Sequence, residues 1–159
     1  MSQTESLATE SQYLTFFVGR EEYAIDVMRV REVVDGIAIT RVPAAPHDVR
    51  GVANLRGSVV PVLDLGLRFG GCALVSTART CVVVVECEAG PDPLVGLLVD
   101  SVQRVVALTP EQIEPVPAFG THARVELLRG IGVIDASFVL ILEPDRVSRI
   151  EDRADRAAS

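Results

Sequence analysis

The residues whose types could do chemistry are few and scattered. Histidine occurs twice, at His47 and His122, in polar stretches with no H-E-x-x-H spacing, so a metal site would have to be assembled from distant segments. The cysteines Cys72, Cys81 and Cys87 form no C-x-x-C, and their odd number leaves at least one thiol unpaired. They read as reduced residues of strands or loops. Ser58 follows Gly57 without a G-x-S-x-G elbow and has no nearby histidine to act as its base. Gly130-Ile131-Gly132 lacks the third glycine and the strand-to-helix setting of a dinucleotide site, and reads as a turn entering a strand. The carboxylates Asp64, Asp100, Asp135 and Glu143 fall beside predicted strand ends, where aspartate commonly caps a turn through its own backbone; nothing pairs them as acid and base.

All 15 residues counted as lysine or arginine are arginine. Without lysine a P-loop, a kinase strand lysine and a Schiff base are all out of reach. Against 22 acids these arginines leave a formal charge of −7, the opposite of what phosphate-backbone binding needs. A small barrel binding single-stranded nucleic acid is opposed by the same charge and by the absence of tryptophan. The expectation is a non-enzymatic, partner-binding protein with no cofactor, no metal and no nucleic acid. At 159 residues the chain has length for one domain that buries roughly 70% of its unfolded surface, so no disulfide or metal staple is required. The polar amino terminus has no signal-peptide pattern and no apolar run is long enough to span a bilayer, so the protein is expected to be cytoplasmic, without membrane insertion.

The elements that must position any site read mostly as strands. Short runs rich in Val, Ile, Thr and Phe, punctuated by Gly, Pro and Asp, predict strands over Tyr13–Val18, Glu22–Val27, Val59–Leu63, Thr80–Glu86, Leu94–Val99 and Phe138–Leu142. Helical signals are short: Pro46 to Val49 leading into Gly51–Leu55, a capping-box start at Thr109-Pro110-Glu111-Gln112, and a final helix opened by Pro144. Val27, Val30, Val33 and Val34 fit a helix and a strand equally. Residues 1–12 read as a disordered lead-in, 13–150 as one domain and 151–159 as a flexible end.

The two halves of this domain read as versions of each other. Ala24-Ile25 with Val27, Val30, Val33 and Val34 match Gly96-Leu97 with Val99, Val102, Val105 and Val106. Arg41-Val42-Pro43-Ala44 matches Pro115-Val116-Pro117-Ala118, and Asn54-Leu55-Arg56-Gly57 is set against Leu127-Leu128-Arg129-Gly130, at an offset of roughly 73 residues, longer than an ordinary solenoid period. Such a repeat suggests two small β-barrels related by a pseudo-twofold, with a groove between them.

The stretch from Arg50 to Leu65, RGVANLRGSVVPVLDL, followed by Arg68-Phe69-Gly70, resembles the signature of the CheW family of chemotaxis coupling proteins. The likeness runs from about Tyr13 to Val147, through EEYAIDV at 21–27, VGLLVDSV at 95–102 and LTPEQI at 108–113. It implies an all-β fold in which 13–150 form one domain of two intertwined SH3-like five-stranded β-barrels, with short helices and a C-terminal helix. It also implies a scaffold that couples the cytoplasmic tips of methyl-accepting chemoreceptors to the regulatory domain of the histidine kinase CheA, recruited to membrane-associated arrays and self-associating weakly there. A coupler for twitching motility or second-messenger control is the alternative within the class.

Carried over residue by residue, the resemblance puts Arg56, with Gly51, Asn54 and Gly57, at the receptor-facing region, the two glycines being needed there for close backbone approach or for positive φ. It puts Val30, Glu32, Thr80 and Val82 along the groove that takes the receptor's helical hairpin. For Arg56 an internal clamp on loop carbonyls is the competing account, and for Val30 and Val82 plain core packing. Phe119 and Glu114 are placed against the kinase's regulatory domain, with Arg41 and Ala45 in the equivalent loop of the other barrel as a second kinase contact; a Phe119 ring folded over the barrel end is the alternative. The segment Glu88–Pro93 lengthens a hairpin relative to the family pattern.

Overall fold

A computed structural model describes residues 10–117 and 125–150. The chain runs through β1 (Ser11–Val18), β2 (Glu21–Asp26), η1 (Val27–Arg29), β3 (Val30–Asp35), β4 (Ile39–Thr40), β5 (Val49–Leu55), β6 (Ser58–Asp64) and α1 (Leu65–Arg68). It continues through β7 (Cys81–Glu86), β8 (Leu94–Val99), β9 (Ser101–Leu108), η2 (Pro110–Gln112), β10 (Ile113–Glu114), η3 (Val125–Leu127), β11 (Leu128–Ile134), β12 (Ser137–Leu142) and α2 (Pro144–Val147).

These strands build two six-stranded sheets, ordered β10-β11-β12-β2-β1-β9 and β4-β5-β6-β8-β7-β3. Each consists of five strands of six to eight residues and one two-residue strand, in keeping with the expected pair of five-stranded barrels. Barrel A contains β1 and β2 of the first repeat and β9–β12 of the second; barrel B contains β7 and β8 of the second repeat and β3–β6 of the first. The halves of the sequence are therefore not the halves of the fold: each repeat lends its first hairpin to the other's barrel. The exchange is sealed by the two parallel pairings, β12 with β2 (Ile141 opposite Ala24) and β6 with β8 (Val62 opposite Gly96).

Register confirms the repeat and corrects part of its alignment. Ala24 and Gly96 occupy equivalent places, as do Glu32, opposite Val84, and Arg104, opposite Thr15. The bulge of β3 between Val30 and Glu32 recurs in β9, where Val102 and Arg104 face consecutive residues of β1. Beyond β4 and β10 the offset grows. The bulge that precedes Gly51 is matched by one preceding Gly130, so Arg50-Gly51 is equivalent to Arg129-Gly130, and Asn54-Leu55 to Val133-Ile134. Pairing NLRG with LLRG is thus a misregister, caused by the longer connection from Glu114 to Leu128 than from Thr40 to Val49.

Three long strands depart from the sequence expectation. Pro46 to Asp48 forms only a turn, Val49 N–H donating to the Pro46 carbonyl at 3.0 Å, and Val49–Leu55 is the full strand β5. β9 and β11 have mixed or glycine-containing sequences with weak alternation, yet both are held by long antiparallel ladders. The ambiguous segment after Asp26 is both things in succession: one 3-10 turn, capped by the Asp26 carboxylate accepting from Met28 N–H at 2.9 Å, and then β3. The capping box at Thr109 makes a single 3-10 turn, and Pro144 opens α2 as expected.

Alternation assigns the two faces of the exchanged strands. Tyr13, Ala24, Val139 and Ile141, with Leu108, form a small cluster inside barrel A. The other faces of the same strands, Leu14, Phe16, Tyr23, Ile25, Leu140 and Leu142, join the main cluster that continues into barrel B. On β7 every residue from Cys81 to Val85 is buried, so both its faces are covered. The two barrels therefore share one core. Separate fragments ending and starting within the Cys72–Thr80 loop are expected to be unfolded as monomers and to regain native circular dichroism only on mixing. A single fragment that folded as a monomer would contradict the interleaving.

Candidate partner-binding surface

The β5–β6 hairpin is closed by Leu55 opposite Ser58, leaving a two-residue turn at Arg56 and Gly57. Both turn residues have positive φ, 53° and 92°, the pattern of a type I′ turn whose twist matches the strands. Asn54 Oδ1 accepts the Gly57 N–H at 2.8 Å and fixes the turn. An arginine in the left-handed region costs about 1 kcal/mol against glycine. What that conformation achieves is to hold a long cationic side chain at the tip.

The guanidinium of Arg56 donates from Nη1 to Glu32 Oε1 at 2.7 Å, with the arginine side chain 78% exposed and the glutamate 22%. β3 is an outer strand of its sheet, so this pair crosses from the hairpin to the seam of barrel B. An ion pair this open adds only about 0–1 kcal/mol to stability. Its effect is to aim Arg56, leaving the guanidinium's other donors to solvent. The partner it has is a carboxylate on another strand, not loop carbonyls. Beside the turn, Val59 is exposed at 72%.

Of the other expected receptor-side residues, Val30 is half-buried against the main core and Thr80 sits beyond the far end of β3, its Oγ1 accepting Thr77 N–H at 2.8 Å. Val82 is 2% exposed and packs in the core, so it supports the surface from below instead of lining it. Gly51 is also buried: a Cβ there would stand 2.1 Å from the Thr40 carbonyl oxygen, at a φ of 149°. It is required for strand approach and is not presented to a partner.

Of the residues expected to meet the kinase, Arg41 and Ala45 belong to the loop between β4 and β5, where Ala45 N–H donates to Val42 O at 3.4 Å and Ala44 has φ 67°. The loop encloses a hollow of about 400 Å³ together with His47 and Arg50. Glu114 is exposed on β10, at the position equivalent to Thr40. Phe119 and His122 lie outside the described residues.

Asp64, the aspartate of the signature, is fully buried. Its Oδ1 accepts Leu67 N–H at 3.2 Å, its Oδ2 accepts Leu74 N–H at 3.1 Å, and Arg50 Nε lies 3.7 Å from Oδ2. Thus it caps α1 and pins the following loop, as an aspartate at a strand end does. In barrel A the equivalent Glu143 pairs with Arg129 at 3.3 Å. These arginine–acid pairs escaped sequence reasoning; the repeated Arg-Gly at the two bulges was their signal.

Asp145 ties the long β7–β8 connection down. Its carboxylate accepts Glu88 N–H at 2.9 Å and pairs with Arg29 Nη2 at 2.7 Å, while Arg29 Nε donates to Glu86 O at 3.0 Å. Partial burial opposes ionisation of Asp145, but the backbone N–H of Glu88, the Arg29 guanidinium and the N–H of Ala89 outweigh it and hold its carboxyl below the usual range. Burial pushes the Cys81 and Cys87 thiols up. Among the described residues, no three His, Cys, Asp or Glu are grouped to hold a metal, and no helix is long and apolar enough to cross a membrane.

Two small barrels, each closed by a parallel strand pair between the repeats and sharing one core, are the frame on which the comparisons agree. The family model of the CheW-like domain covers residues 12–151. The chemotaxis protein CheW of Klebsiella aerogenes is 33% identical over 143 residues, spanning 90% of this chain and 84% of the relative. That of Helicobacter pylori is 35% identical over 136 residues, 86% of this chain and 80% of the relative. The crystal structure of the scaffolding protein TtCheW from Thermoanaerobacter tengcongensis superposes with a TM-score of 0.80 at 29% identity, covering 89% of this chain and 94% of that one. The chain belongs to the CheW family of chemotaxis scaffold proteins.

Gly51→Ala is expected to destabilise by about 2–3 kcal/mol in urea unfolding, because backbone must move, whereas Gly57→Asn, at an open turn position, is expected within about 0.5 kcal/mol of wild type. Equal midpoints would show that the close approach of Thr40 is unimportant. Asp145 has its pKa lowered on folding, so it stabilises the fold above the ordinary carboxylate value of about 3.9, and that contribution disappears as pH falls through the folded value. Asp145→Asn should therefore lower stability at neutral pH and flatten the fall in stability below about pH 4; an unchanged acid limb would exclude this role.

Proposed function

We propose that the chain is a non-catalytic coupling adaptor that joins the cytoplasmic tips of chemoreceptors to the histidine kinase CheA. The observation that carries the reading is Arg56: a charged side chain on a left-handed turn, aimed by Glu32 and open to solvent at the place the family signature occupies. Arg56, Glu32 and Asn54 form its receptor side, with Gly57 giving the turn, Val30 and Thr80 flanking, and Val59 adding apolar area. The Arg41–Ala45 loop and Glu114 of β10 form the kinase side, to which the resemblance adds Phe119. Assembly into membrane-associated arrays raises effective concentrations, so each contact works at modest area.

The test is co-sedimentation of the purified protein with receptor-bearing membranes and the cognate CheA, following kinase phosphorylation. Wild type should activate the kinase, and Arg56→Ala should keep its fold while losing receptor-dependent activation by about tenfold or more. Full activation by a folded Arg56→Ala protein would remove Arg56 from the interface. Absence of both sedimentation and activation with wild type would reject the coupling role for that receptor and kinase.

A further inference from the structure

At the end of β6 opposite to the Arg56 hairpin, a cavity of about 530 Å³ opens between the two barrels. The β1–β2 turn of barrel A forms one wall, and α1 with the loop after it forms the other. This size and this place, a junction of two structural units, are those of a ligand-binding cleft. Its apolar floor includes Tyr23 and Phe69, whose rings stack at a centroid distance of 4.6 Å. Gly19 and Gly70 leave the walls open: nothing lies within 4 Å of where a Cβ of either would stand.

The polar groups of the cleft are arranged unequally by charge. Asp100 Oδ2 accepts Gly19 N–H at 2.7 Å, and Asp100 N–H donates to Phe17 O at 2.9 Å, so this carboxylate is fixed at the rim. Glu21 Oε1 accepts the Tyr23 hydroxyl at a long 3.5 Å. Burial of Tyr23 and the Glu21 charge keep the phenol protonated, as a donor. Arg20 also lines the cavity, but its side chain is exposed and it makes no ion pair among the described residues. Asp100 is thus the carboxylate held by a short bond and Glu21 the one held by a long bond, in a cleft with an aromatic floor.

We propose that this cleft takes the arginine side chain of an extended segment of a partner protein. The alkyl stem and guanidinium plane lie along Phe69 and Leu74 while the guanidinium donates to Glu21 and Asp100. Glycine walls leave room for the main chain that carries the arginine. The site is separate from the Arg56 surface and does not rest on the coupling function proposed above.

The test is a two-dimensional amide NMR titration of the full chain with N-acetylarginine methylamide, using N-acetylnorleucine methylamide and N-acetylglutamate methylamide as comparators. The arginine probe is expected to saturate shifts at Gly19, Gly70, Gly71 and Asp100 with millimolar affinity, and neither comparator should do so at tenfold higher concentration. The double variant Glu21→Gln with Asp100→Asn should lose about tenfold in affinity, its fold checked by unchanged amide positions around Asn54 and Gly57. Equal shifts from the norleucine probe would reduce the site to an apolar dent. Absence of saturable shifts at these glycines, or shifts confined to other regions, would overturn the proposal; because the comparators act on wild type, the titration is decisive even if the double variant fails to fold.

Discussion

Everything in this molecule hangs on two short parallel strand pairings. β2 beside β12 and β8 beside β6 are the places where a hairpin from one repeat is accepted into the sheet of the other. Antiparallel neighbours are reached by a tight turn, but parallel ones require the chain to travel away and return. Between β2 and β12 the chain passes through the whole of barrel B, and between β6 and β8 it returns through α1 and β7. Barrel A is thereby closed by strands distant in sequence, with barrel B set between them along the chain, and the main apolar cluster runs without interruption from Leu14 and Phe16 of one sheet to Val83 and Leu97 of the other. A rigid relation between the barrels follows, because moving them apart would expose that shared core.

Rigidity is what a scaffold has to offer. An adaptor acts by holding two partners at a fixed distance, and its binding groups must keep their direction when unbound. Arg56 meets this condition through three local devices: a type I′ turn, the Asn54 side chain that locks it, and the Glu32 carboxylate across the seam. Farther along the same strand, Asp64 fixes α1 and the loop to Leu74 through buried bonds to backbone N–H groups. The hairpin strands thus carry an exposed charge at one end and a buried one at the other, and only the exposed one is free to meet a partner.

Much of this was legible in the sequence because alternation and turn chemistry are local. Strands such as Tyr13–Val18 and Leu94–Val99, the short helix opened by Pro144, and the repeat itself could all be read from neighbouring residues. Gly51 and Gly57 could be tied to close approach and positive φ for the same reason. What could not be read was long-range. β9 and β11 owe their state to the ladders they join, and the exchange of hairpins leaves no mark on residue order. The residues proposed for the receptor side come from the resemblance, and burial divides them: Glu32 and Arg56 meet at the surface, while Val82 and Gly51 are interior. Alternation alone does not distinguish a strand covered on one face from β7, covered on both.

Native-state hydrogen exchange tests the shared-core account most directly. If the barrels are one cooperative unit, the slowest amides at the two parallel junctions, around Ala24 and Ile141 in barrel A and Leu63 and Leu97 in barrel B, should open with the same free energy, equal to that of global unfolding. A lower opening free energy for either junction, with the other remaining protected, would show that one barrel unfolds while its neighbour stands, and the interlocked scaffold described here would be contradicted.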